Sequence, residues 1–139
     1  MREPYHQLYV HLIWATWDRL ALLTQNREPA VYACIQAECV KMKVELIAIN
    51  GAEDHVHLLA RYDPSLSITE MVKRAKGPSS HMVTHVITPD EFFKWQGGYI
   101  AYSVSKSDVA RVRDYIQRQK EHHRDSTTLP DDELPEQQH

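Results

Sequence analysis

Cysteine is nearly absent. Only Cys34 and Cys39 occur in the 139 residues, both within one stretch of helical periodicity, so neither a disulfide framework nor a cysteine zinc finger is available. Long apolar runs are missing too: stretches such as residues 20–23 fall far short of the roughly 20 residues that a membrane-spanning helix needs. No charged-then-apolar leader follows Met1, and together these absences lead us to expect a cytoplasmic protein without a membrane partner. Glycine is scarce, at 4 residues, and no repeat or low-complexity linker divides the chain. With 42% hydrophobic and 25% charged residues, the composition describes one globular domain, too short for two catalytic ones.

A strong excess of charge is also lacking, the formal net charge being -3. Its distribution is uneven. Residues 125–139 carry Asp125, Asp131, Asp132, Glu133 and Glu136 with no lysine or arginine, which leaves all 16 basic residues against 14 of the 19 acidic ones in the rest of the chain. Between residues 61 and 124, 11 basic residues stand against 7 acidic ones. Salt confines each charge to about 10 Å, so a local basic face can serve a phosphate-bearing partner even in a mildly acidic protein. We therefore expect a domain over residues 1–124 and an acidic flexible tail over 125–139, disordered or loosely docked because it is polar and contains proline.

Periodicity supplies the fold. Alternating aromatic and β-branched residues over 5–16 predict a strand that is apolar on both faces. Thr24 or Asn26 is placed to cap a helix reaching about Lys43, with Pro29 in its first turn and Val31, Ile35, Cys39 and Met42 at helical spacing. Residues 44–49 and 55–62 read as two strands joined by an Asn50-Gly51 turn. Ser65 or Ser67 can cap a helix starting near Ile68, which Gly77-Pro78 should break before residues 79–86 resume it. Residues 99–104 form a fourth strand, and Ser107 or Asp108 can cap a final helix from Val109 to about His123. This order predicts an α+β fold, a ferredoxin-like β-α-β-β-α-β sandwich whose antiparallel sheet carries helices on one face, plus a C-terminal helix.

The segment Asp54-His55-Val56-His57-Leu58-Leu59 carries the clearest chemistry. Alternate residues of a strand share a face, so His55 and His57 project together and can bind one divalent ion if a third ligand arrives. The same pair can equally be solvent-facing on a half-exposed strand. On the final helix Tyr115 and Gln119 stand four apart, hence on one face, although an ordinary amphipathic helix with His122, His123 and Arg124 complementing its dipole has the same appearance. A zinc hydrolase using Asp54 or Glu53 as its carboxylate is disfavoured, because Asp54 on a strand would point away from the histidine face.

Several ordered blocks add to this. Tyr5-His6-Gln7, Ala48-Ile49-Asn50-Gly51, the His55/His57 segment, Trp95-Gln96-Gly97-Gly98-Tyr99, Ser103-Val104-Ser105, and Tyr115-Ile116 with Gln119, Glu121, His122 and His123 span residues 5–124. In them the chain resembles the single-tyrosine HUH transposases of the smallest bacterial insertion sequences, the insertion-sequence-two-hundred type. The resemblance implies His55 and His57 as metal ligands with Gln119 as the third, Tyr115 as nucleophile, and Mg or Mn as the ion. It implies cleavage and rejoining of single-stranded DNA with hairpin ends through a 5′-phosphotyrosine link, in a homodimer and without a nucleotide cofactor. Candidate DNA contacts are Arg61, Lys73, Arg74, Lys76, Lys106, Arg111, Arg113 and Arg118, the cluster at 73–76 suiting hairpin phosphates, with Trp95 and Tyr102 as possible base platforms. Trp17, where a basic residue is expected, and Ile100, where a small one is commoner, depart from the family pattern. Two other readings stay open: a related nuclease recruited by its host to act on palindromic repeats, and a non-catalytic ferredoxin-like module that binds single-stranded nucleic acid.

Overall fold

The computed structural model describes residues 3–125, 128–129 and 132–134. Strands β1 (Leu8–Ala15), β2 (Glu45–Ala52), β3 (His55–Tyr62) and β4 (Ile100–Val104) form one antiparallel sheet in the order β2-β3-β1-β4. Helices α1 (Glu28–Lys41) and α2 (Ile68–Met82) cross over between strands, and α3 (Val109–Gln117) and α4 (Gln119–Asp125) follow the sheet. The ferredoxin-like order expected from the sequence is therefore present.

Register explains which residues meet. Ile13 pairs with His57, and His11 pairs with both Leu59 and Tyr102. Because side chains alternate across a pleated sheet, Val10, Leu12, Trp14, Val56, Leu58 and Ala60 share one face, where Val31, Ile35, Met71, Val72 and Ala75 of α1 and α2 cover them. The opposite face carries His11, Ile13, His55, His57 and Leu59, and α3 packs there through Val112 and Ile116. The crossover helices thus occupy one face and the C-terminal helix the other. Central β1 is apolar on both sides because this single chain covers both.

Three local expectations are corrected. Asn50 and Gly51 do not form the turn; both lie inside β2, and the chain reverses at Glu53-Asp54. Gly51 is needed there for close approach, since a Cβ would collide with the His55 carbonyl oxygen. Gly77-Pro78 does not break α2, which runs on to Met82 and then widens into a π turn over Val83–Ile87 closed by Thr88 N–H on the Val83 carbonyl. Pro78 removes only the bond to the Arg74 carbonyl, and the helix tolerates that loss because Met71, Val72 and Ala75 before it and Val83 after it stay anchored in the core. The final helix is interrupted at Arg118 (φ -104, ψ 21), so Tyr115 and Gln119 belong to successive helices.

Capping differs in detail. Ser67, not Ser65, caps α2 by accepting from Glu70 N–H. At α1 the Thr24 backbone carbonyl accepts from the Arg27 and Glu28 N–H groups, and neither the Thr24 nor the Asn26 side chain serves as cap. Trp95 is core rather than a base platform: it is buried edge-on against Trp14 at 6.0 Å and its Nε1–H donates to Ser79 Oγ. Gly51→Ala is expected to lower stability by about 1–3 kcal/mol, the usual cost of overpacking a closed site, read as a fall in the urea midpoint with the slope unchanged.

Candidate active site

Both histidines of the His-x-His segment are buried, at 1% and 0% exposure, with ring centroids 5.0 Å apart, so the solvent-facing alternative does not hold. His55 is fixed from behind by Asp54, whose Oδ1 lies 2.7 Å from His55 Nδ1. This corrects the expectation that Asp54 points away. It sits in the turn before β3, free of the strand's alternation, and folds back onto its neighbour. Arg19 grips the other oxygen at 3.0 Å. Burial opposes the charge on Asp54, but His55 and Arg19 outweigh it and hold the carboxyl below its ordinary range. With Nδ1 engaged by a carboxylate, His55 Nε2 is left buried and without a hydrogen bond among the described residues. A lone pair aimed inward with a carboxylate behind the ring is the arrangement of a metal-ligating histidine.

His57 is held differently. Its Nδ1 lies 2.8 Å from Nε2 of His11, which is completely buried on the neighbouring strand. Burial pushes the His11 imidazole down to about 3, and neighbouring His57 adds to the effect, so both rings sit neutral near pH 7. Sequence reasoning did not single out His11; its odd position in β1, in phase with the histidines of β3, was the available signal.

Tyr115 faces this pair from α3, its ring 6.2 Å from that of His57 and stacked on His122 at 4.6 Å. It is buried, and its hydroxyl donates to Glu133 Oε1 at 2.5 Å while accepting from Leu129 N–H at 2.9 Å. Burial raises the phenol above its ordinary value, and the Glu133 hydrogen bond raises it further. Gln119 is completely buried, with Oε1 3.0 Å from His123 Nε2. Glu133 joins the parts: Oε2 lies 3.0 Å from His57 Nε2 and 3.6 Å from His55 Nε2, and Oε1 lies 3.4 Å from His123 Nε2. Burial works against its charge, yet hydrogen bonds from His123 and His57 keep the carboxyl far below the usual range.

One ligand atom from each of His55, His57, His123 and Glu133 falls within 4.8 Å of the others. Three imidazoles and a carboxylate, with Gln119 behind His123, form a donor set that suits a divalent ion. His123 and Glu133 were not foreseen. Glu133 belongs to the acidic tail expected to be disordered or loosely docked; of that tail, Asp132 and Glu133 are buried against the site. An open groove of about 540 Å³ adjoins the cluster, lined in part by Arg19, Glu53, Asp54, Lys120, His123 and Arg124.

The candidate DNA-contact residues are not brought to one face. Lys106, Arg111, Arg113 and Arg118 are exposed on or beside α3, the Tyr115 side of the sheet, with Arg111 held by Asp132 at 3.0 Å and Arg118 near Asp114 and Glu121. Lys73, Arg74 and Lys76 ride on α2, across the sheet. Lys76 is half-buried and donates to the Gln96 and Gly98 carbonyls, which makes it an anchor of that loop. Arg61 donates to the His6 carbonyl and lies over the Tyr9 ring. Tyr102 faces His11 and donates to the Glu133 carbonyl.

The chain as a whole has known counterparts. Residues 4–119 match the family described as "Transposase IS200 like", and the chain belongs to that family of DNA transposases. The ISDra2 transposase TnpA of Deinococcus radiodurans is 27% identical over 119 residues, covering 82% of this chain and 85% of the relative. The transposase for insertion sequence element IS200 of Salmonella typhimurium is 27% identical over 117 residues, covering 80% and 76%. A solved Deinococcus radiodurans R1 protein described as a transposase superimposes with a TM-score of 0.66 at 28% identity, over 86% of this chain and 95% of the other. A REP-associated tyrosine transposase bound to a REP hairpin shares the fold, with a TM-score of 0.67 at 14% identity, over 88% and 73%. No helix among the described residues is long and apolar enough to cross a membrane.

Asp54→Asn is expected to weaken Mn binding about 10- to 100-fold, as loss of a carboxylate behind a ligating histidine does elsewhere. Titration calorimetry checks this, with circular dichroism confirming an unchanged fold.

Proposed function

We propose that this transposase cuts and rejoins single-stranded DNA through a covalent link to Tyr115, at a site where His55 and His57 with Gln119 or His123 hold a divalent ion, Mg or Mn. One observation carries the proposal: the single Glu133 carboxylate touches the Tyr115 hydroxyl at 2.5 Å and His57 Nε2 at 3.0 Å. One anionic two-oxygen group can therefore contact the nucleophile and the metal-ligand cluster at once, as a phosphodiester must. When bound, the ion would neutralise charge on a non-bridging phosphate oxygen.

The chain's own residues supply the rest. Asp54 and His11 orient the two imidazoles, and the neutral state of His11 and His57 leaves ring nitrogens available as ligands. The packing of α3 through Val112 and Ile116 sets Tyr115 over the histidines. In the step itself the phenolic oxygen forms a bond to phosphorus in line with the departing 3′ oxygen. The phenol gives up its proton, the 3′ oxygen takes one up, and a 5′-phosphotyrosine and a free 3′-hydroxyl result. The linkage conserves the phosphodiester, so a second 3′-hydroxyl can reverse the step and join strands without a nucleotide cofactor.

For the DNA path, Lys106, Arg111, Arg113 and Arg118 share the nucleophile's side of the sheet and suit the cleaved strand. Lys73 and Arg74, exposed or half-exposed on α2, suit a hairpin stem on the other side. Hairpin-ended DNA and a homodimer enter this reading through the family resemblance. Light scattering on the purified chain tests the dimer, a mass of one chain being the contrary result.

Labelled single strands from the DNA flanking the gene, incubated with wild-type and Tyr115→Phe protein, with Mg or with EDTA, test the chemistry. Label transferred to wild-type protein only, and only with metal, is the expected outcome on a denaturing gel. Binding by both proteins without transfer would sink the covalent mechanism and bring forward the non-catalytic module.

A further inference from the structure

Leu129, Asp132 and Glu133 reach the site itself through contacts to Tyr115, Arg111, His57 and Tyr102. We propose that this C-terminal segment is an intramolecular occupant of the DNA-strand seat: Glu133 takes the place of the scissile phosphate, and Asp132, on Arg111, takes that of a neighbouring phosphate. The incoming strand must displace it. This deepens the strand-cleavage reading and rests on it for the meaning of the seat.

Geometry first. In-line attack needs a phenolic lone pair directed at phosphorus and open space beyond it. In this structure the Tyr115 hydroxyl donates to Glu133 and accepts from Leu129 N–H, and the residue is 4% exposed. Both partners come from the tail. With the tail in place no phosphate can reach Tyr115, so the arrangement describes a resting state and not a reacting one.

The chemistry of the ties agrees. Arg111 Nη1 donates to Asp132 Oδ2 at 3.0 Å, the Tyr102 hydroxyl donates to the Glu133 carbonyl at 2.9 Å, and the imidazoles of His57 and His123 meet the Glu133 carboxylate at 3.0 and 3.4 Å. Guanidinium, hydroxyl and imidazole donors accept a phosphate oxygen as readily as a carboxylate. Apolar anchoring is limited: Leu129 is 43% exposed and Leu134 only half-buried. A segment held by polar ties to anion-binding groups exchanges for another polyanion at little net cost, whereas one held by a buried apolar face would not. Sequence fits as well: residues 125–139 carry five acids and no lysine or arginine, the charge sign of a nucleic-acid backbone.

The competing assignment makes Glu133 a permanent metal ligand. It would leave Tyr115 without an approach to phosphorus throughout the cycle, and it predicts opposite results.

The test compares full-length protein, the full-length Asp132→Asn/Glu133→Gln double variant, and a chain ending at Asp125. Each is measured for binding of a 5′-fluorescein single strand from the flanking DNA in Mn, for Mn binding alone by calorimetry, and for covalent adduct. In full-length protein, trypsin cleavage after the exposed Arg124 is followed by mass spectrometry with and without the strand. If the tail fills the seat in nine molecules of ten, freeing it tightens strand binding about tenfold. We expect that gain in both altered forms, faster adduct formation, Mn binding retained, and faster tail removal once the strand is added. Loss of Mn binding together with weaker strand binding in the double variant, or tail removal that the strand slows, would overturn the proposal and make Glu133 a resident ligand. If no form yields an adduct while strand affinity and trypsin sensitivity still rise, the cleavage reading fails and the displaced tail stands.

Discussion

Everything in this molecule depends on the alternation of β3 at the interior of a four-stranded sheet. Val56, Leu58 and Ala60 point into the core beneath α1 and α2, and this fixes His55 and His57 on the opposite side with no freedom of register. A one-residue slip would bury the imidazoles among leucine and tryptophan and expel three apolar side chains. The energy that positions the site is therefore hydrophobic burial on the far face of the sheet, at residues that take no part in chemistry. Gly51 serves the same end, letting β2 approach the His55 carbonyl where any side chain would force the strands apart.

On the near face the logic is polar. His11, His55, His57, Tyr115 and Gln119 are all buried, and buried polar groups are costly unless partnered. They partner one another: Asp54 with His55, His11 with His57, Gln119 with His123. The exception among the ligand candidates is His55 Nε2, which has no hydrogen bond among the described residues. Such a buried, unpaired nitrogen marks a functional site, and it faces Glu133 Oε2 at 3.6 Å.

How much of this could be read from sequence depended on whether the signal was local and periodic. The paired histidines and the element order were legible, because period two and period three-to-four patterns in residues 8–62 and 68–82 report burial directly. Asp54 was misjudged because Asn50-Gly51 is the stronger turn signal in isolation, yet strand pairing from Glu45 to Ala52 overrides it and carries the turn three residues onward. Gly77-Pro78 failed as a breaker for a similar reason, core contacts on both sides of it outweighing one missing backbone bond. Glu133 was beyond reach. It stands 76 residues from His57 in a polar segment without periodicity, and only the folded chain brings the two to 3.0 Å. The trans-sheet division of the basic residues was likewise invisible, since sequence clustering says nothing about which layer a helix joins.

The interruption at Arg118 has a consequence of its own. In an unbroken helix Tyr115 and Gln119 would sit about 40° apart around one axis, since each residue advances about 100°, and no substitution could change one bearing without the other. Here the axis stops and starts again at a single non-helical residue. Tyr115 and Gln119 ride on separate rods joined at one pivot, so the bearing of one against the other is set by how α3 packs on β2 and β3 and how α4 packs on β2, and can be retuned on either rod alone.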